Sequence, residues 1–141
     1  MKSILKPIAL ATAFTFLILS LQPVPALAGE FHVFGPKTYV RTTSTPQTTT
    51  DTFPVLNPNT DYTLRLANGG LQDTTTEKVS SSLIALNGVK VVGPENFNQN
   101  VSSFQVPVHL SSFNTLSVEL RSKPGGTLQG EIVGIDNVIL W

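Results

Sequence analysis

Three stretches of this chain alternate apolar and polar side chains with a period of two. In DYTLRLANGG, Tyr62, Leu64 and Leu66 share one face and Thr63 and Arg65 the other. NTLSVELRS sets Leu116, Val118 and Leu120 against Ser117, Glu119 and Arg121, and FQVPVHL sets Phe104, Val106, Val108 and Leu110 against a face that carries Pro107. Successive side chains of a strand leave opposite faces of the sheet, so this period predicts half-buried β-strands. Proline has no ladder N–H, which puts the Phe104–Leu110 strand at a sheet edge. Thr, Ser and Val dominate beyond residue 28 while Ala, Lys and Glu are scarce, and no helix of useful length is predicted.

Further strands are expected at Lys37–Thr42, Thr50–Leu56, Ser80–Leu86, Val89–Val92, Thr127–Ile135 and Val138–Trp141. The turn signals NPNTD, ANGG, NG, GPEN and KPGG separate them. Asn87-Gly88 suits a two-residue type I′ hairpin turn, and Pro124-Gly125 the centre of a type II turn. The Thr-rich TTSTPQTTTDT is read as strand, loop and strand inside the domain, because its β-branched residues are flanked by apolar strands. About eight short strands joined this way predict an all-β fold, an antiparallel β-sandwich of jelly-roll or immunoglobulin-like topology.

The N-terminal MKSILKPIALATAFTFLILSLQPVPALAGE has two lysines, an apolar run from Ile8 to Leu21 and a small-x-small site ending at Ala28, the pattern of a secretory signal peptide. The run is short of the ~18–20 residues a membrane span needs, so stable membrane insertion after cleavage is not expected. Residues 1–28 are read as signal and 29–141 as one sandwich domain, secreted to the periplasm or the cell surface. Of nine basic residues, Lys2 and Lys6 fall in the leader, leaving seven against nine acidic ones. That balance offers nucleic acid no electrostatic footprint. The chain has no cysteine, so neither disulfides nor thiol catalysis are available and the core alone must hold the fold.

The segment from Val79 to Asp136 carries Val-Ser-Ser, Leu-Asn-Gly, Pro94 followed after two intervening residues by Phe-Asn-Gln, Asn-Thr-Leu, Val-Glu-Leu and Ser-x-Pro-Gly. As a set these resemble a β-sandwich repeat unit of large extracellular and surface proteins of bacteria, adhesin-like or carbohydrate-handling. FGPKTYVRTT and TDTF, within Phe34–Phe53, are similar to the start of that unit. ANGGLQDTTTEK departs from the family's charged Asp-Gly-rich loop, and the ending NVILW is not part of the pattern. The resemblance implies a sandwich without catalytic residues.

Candidate sites follow from side-chain chemistry. In LNGVKVVGPENFNQNV, Asn96, Asn98, Gln99 and Asn100 can hydrogen-bond a sugar, or the backbone of their own loop around a buried Phe97. Tyr39 is the best candidate for an aromatic ring on which a sugar could stack, since Tyr62 faces inward and Trp141 ends the chain. No cofactor is required. Asp51, Asp61, Asp73, Glu77, Glu95 and Asp136 are hard oxygen donors, and Asp73 with Glu77 is the pair assigned to a structural calcium if one is bound. His32 and His109 stand far apart with no ligand at zinc spacing. Glu119 and Glu131 are read as outward acids on adjacent strands, partnered by Arg65 or Arg121 rather than arranged for glycoside cleavage. The chain is therefore not read as an enzyme.

Val138, Ile139, Leu140 and Trp141 are apolar at consecutive positions, as in a strand buried on both faces or one added to a neighbour's sheet edge. The expected function is a non-catalytic surface module making protein or matrix contacts. A carbohydrate-binding module is one alternative, with a polysaccharide as partner. The other is a filament subunit, a homo-oligomer assembled through Val138–Trp141.

Overall fold

The structure, a computed structural model, describes residues 29–69 and 77–136. The leader, Asp73 and the assembly segment Val138–Trp141 lie outside the described residues. The described residues form nine strands: β1 (Gly29–Val40), β2 (Gln47–Pro54), β3 (Tyr62–Asn68), β4 (Glu77–Lys78), β5 (Ser82–Leu86), β6 (Val89–Val92), β7 (Ser103–Val108), β8 (Phe113–Leu120) and β9 (Gly126–Asp136). They form one sheet in the order β1-β9-β3-β7, with β4 also on β9, and a second in the order β2-β8-β5-β6. Among the described residues no helix is long and apolar enough to cross a membrane.

The pairing decides between the two expected topologies. The first strand pairs with the last, β2 with β8 and β3 with β7, all nested around the β5–β6 hairpin. A long hairpin rolled over two sheets in this manner is a jelly-roll, not an immunoglobulin fold. The inward residues of the period-two stretches meet between the sheets. Leu64, Ile84, Leu116, Leu128 and Ile132 are at most 1% exposed, and Phe34 of one sheet tilts onto Phe53 of the other at 5.0 Å. β7 lies at the edge of its sheet and Pro107 points outward.

Several boundaries move. The expected Lys37–Thr42 strand begins at Gly29, because β1 passes the Gly35-Pro36 break through irregular register between His32 and Lys37 instead of ending there. Phe31 and Tyr62 pack over Gly134, where a Cβ would come within 2.5 Å of the Phe31 ring. The Thr-rich segment is loop followed by strand, without the first of the two expected strands, because β1 ends at Val40 and β2 begins at Gln47; the side chain of Arg41 organises the loop between them. Arg41 is 5% exposed and donates to the carbonyls of Thr43, Ser44, Thr45 and Arg121 at 2.7–3.1 Å. Asn87 and Gly88 have φ of 52° and 81°, the positive values a type I′ turn requires, and Gly125 has φ of 95°, suiting the third position of a type II turn.

Glu119 and Glu131 are not on adjacent strands. They belong to β8 and β9, in different sheets, because the rolled topology separates strands that are consecutive in sequence. Each does meet arginine: Glu119 with Arg121 at 2.8 Å and Glu131 with Arg65 at 3.9 Å.

Candidate functional site

The amide-rich segment largely holds its own shape. The Asn96 carboxamide oxygen accepts from the Gly93 N–H at 3.0 Å, and that of Asn98 accepts from the N–H groups of Asn100 and Val101 at 2.8 and 3.1 Å. Phe97 is buried edge-on against Phe104 at 5.3 Å, as its proposed anchoring role requires. Gln99 and Asn100 are exposed.

Tyr39 cannot serve as a stacking platform. Its side chain points between the sheets, 3% exposed, and its hydroxyl donates to Asp51 at 2.9 Å. Burial, with the Asp51 carboxylate beside it, pushes its phenol above the usual range. Lys37 closes the same sandwich edge by pairing with Asp51.

Of the acids proposed for calcium, Asp73 lies outside the described residues, and others pair with lysines. Glu77 approaches Lys123 at 3.7 Å and Glu95 pairs with Lys90 at 3.0 Å. Among the described residues no group of three His, Cys, Asp or Glu side chains could hold a metal. His109 is exposed just beyond the end of β7, not on the strand as expected, whereas His32 places Nδ1 3.2 Å from Glu131, a carboxylate partner that sequence spacing did not show.

A different site emerges from the strand register. Leu66 of β3 lies between Gly130 of β9 and Phe104 of β7, and this row of backbone floors a cleft on the outer face of the larger sheet. Side chains alternate, so the rows before and after it point outward and form two banks. Arg65, Gln105 and Glu131 make one bank; Ala67, Ser103 and Gln129 make the other, with Pro36 of β1 at one end. The cleft has a volume of about 250 Å³. It crosses the sheet for about 14 Å, from the ~4.8 Å spacing of neighbouring strands.

One bank is fixed by charge. Arg65 donates to both carboxylate oxygens of Glu30, at 2.6 and 2.5 Å, and lies 3.9 Å from Glu131. Hydrogen bonding from Arg65 holds the Glu30 carboxyl below its usual range. The other bank is unpinned: among the described residues the Gln129 side chain has no hydrogen-bond partner, and its carboxamide oxygen is buried. The cleft thus offers amides, a hydroxyl, a guanidinium and a carboxylate, donors and acceptors together, over backbone that is already paired.

No family model matches the sequence, and no curated protein matches it. Among solved structures, a β-glucosidase from Kluyveromyces marxianus in complex with glucose is 20% identical over 64% of this chain, with a TM-score of 0.41. The match takes in 11% of that enzyme's length. The CBM36-1 domain of a multidomain xylanase from the hindgut metagenome of Trinervitermes trinervoides is 11% identical, covering 79% of this chain and 100% of its own, with a TM-score of 0.41. The carbohydrate-binding module CBM36 in complex with calcium and xylotriose is 10% identical, covering 77% and 99%, with a TM-score of 0.36. Likenesses this distant assign neither a family nor a ligand.

Proposed function

We propose that this protein is a non-catalytic, secreted module that binds a polysaccharide in the cleft across β9, β3 and β7. The carrying observation is the pair of outward banks, Arg65, Gln105 and Glu131 facing Ser103 and Gln129, with Arg65 already held by Glu30. A sugar presents hydroxyls that donate and accept, and it is recognised by side chains that do both from fixed positions. Affinity electrophoresis and pull-down on soluble and insoluble polysaccharides test the reading. Binding to at least one of them, lost in Gln105→Ala and Arg65→Met while thermal unfolding stays cooperative, supports it. Retention by none overturns it.

The wider role in protein or matrix contact has its own observation. Phe113 is 63% exposed and pairs in register with exposed Pro54, and Leu56, two residues past β2, is fully exposed, so this end of the smaller sheet presents apolar side chains to solvent. Leu56→Ser with Phe113→Ser should abolish adhesion to a surface or matrix protein while leaving polysaccharide binding intact. Assembly through Val138–Trp141 is tested separately, by light scattering of the chain with and without residues 137–141. A structural calcium at Asp73 and Glu77 would raise the melting temperature on calcium addition.

A further inference from the structure

We propose that the cleft accepts uncharged sugar units and excludes anionic ones, and that Gln129 is the adaptable group reading their hydroxyls; this rests on the cleft being the glycan site. Two carboxylates and one guanidinium govern its charge. The fork of Arg65 is already occupied by both oxygens of Glu30, and its remaining reach is toward Glu131. A uronate or sulfate would have to displace Glu30 from Arg65 and then lie beside Glu131, a like charge on the lining of the same cleft. His32 Nδ1 is already engaged by Glu131 at 3.2 Å. A neutral hydroxyl meets none of these penalties, and it can donate to Glu131 while accepting from Arg65.

Gln129 contributes the complementary property. Among the described residues its side chain has no hydrogen-bond partner at either end, although its oxygen is buried. A buried acceptor without a partner is costly, so this amide is not locked into its present orientation. A half-turn about the last side-chain bond exchanges an acceptor for two N–H donors at the same place. The fixed Arg65–Glu30 bank therefore sets the charge that is tolerated, and the free Gln129 amide adjusts to the hydroxyl that arrives.

The test is binding of the purified protein to neutral polymers (xylan, β-glucan, galactomannan) and anionic ones (polygalacturonate, alginate, a sulfated glycan), each at low and high salt. Wild type is compared with Gln129→Met, which conserves volume and removes both polar ends. The expected result is retention on a neutral polymer, weakened about tenfold or more in Gln129→Met, as loss of a ligand hydrogen bond predicts, with the melting temperature unchanged or raised. Binding to anionic polymers alone would overturn the inference yet leave the cleft as a glycan site. Neutral binding that Gln129→Met does not weaken would remove Gln129 from recognition. No binding to any polymer would overturn both this inference and the function it rests on.

Discussion

Asn87 donates its side-chain N–H to the carboxamide oxygen of Asn114 across 2.9 Å, tying the β5–β6 hairpin turn to the second residue of β8. Asn114 is fully buried; its oxygen also accepts from the Ser111 N–H at 2.8 Å, and its nitrogen donates to the Ser111 carbonyl at 2.7 Å. Asn87 accepts in turn from the Thr115 N–H at 2.8 Å. Asparagine therefore does more at this turn than tolerate a positive φ.

Asn114→Ala should destabilise the fold by about 1–3 kcal/mol, because it leaves buried donors and acceptors unpaired. Asn87→Gly keeps the turn conformation and loses the side-chain bonds, so it should cost about 1 kcal/mol despite glycine's preference for such turns. Urea unfolding midpoints measure both.

Arg41 sends its guanidinium into a ring of backbone carbonyls, with no carboxylate among its hydrogen-bond partners. Arg41→Lys keeps the charge but replaces a planar five-donor fork by three donors on one atom, and should cost about 1–3 kcal/mol. Rescue to within a few tenths of wild type by lysine would show that charge, not geometry, holds the loop between β1 and β2; urea unfolding again gives the answer.

Asn98 caps its own turn at the surface, holding the N–H groups of Asn100 and Val101. Asn98→Ala should lower stability by about 0.5–1.5 kcal/mol, the net worth of an ordinary hydrogen bond. It should leave every polysaccharide isotherm unchanged. A large loss of binding with full stability would return the site to the amide-rich loop.

The chain has two tyrosines, and burial raises the pKa of both, with Asp51 adding to the effect at Tyr39. A raised folded pKa means that stability is fully present below the unfolded value of about 10 and falls as pH rises above it, since only the unfolded chain ionises there. Phenolate absorbance should therefore stay low past about pH 10 and then appear together with loss of near-ultraviolet dichroism. A smooth titration of one tyrosine near pH 10 in the folded protein would contradict the burial of its ring.

Much of the fold was legible in the chain. Alternation at Tyr62–Leu66 and Leu116–Leu120 identifies the strands and their inward faces, Pro107 marks an edge, and Asn87-Gly88 fixes a turn. Other features were not. The start of β1 was hidden because Gly35-Pro36 interrupts its pattern, and only pairing with β9 carries it across. The cleft was hidden for a different reason: Arg65, Gln105 and Gln129 are unremarkable outward polar residues on strands far apart in sequence. They become neighbours only through register, and a slip of one residue would scatter them to opposite faces. Sequence drew the eye to Tyr39 and to Asn96–Asn100, where chemistry is dense locally. Tyr39 went inward because it lies on the same parity as the core residues of its partner strand, opposite Leu128.

The last described strand, β9, lies in the middle of the larger sheet, with β1 on one side and β3 on the other. Until Gly126–Asp136 arrives, β1 has no partner in that sheet and the hydrophobic layer beneath it has no lid. Completing this sheet therefore requires residues from the two ends of the described region to meet, long-range pairing of the kind that slows folding. A chain cut before Gly126 would leave β1 and β3 without the strand that joins them, so neither half of this sheet is a finished unit on its own.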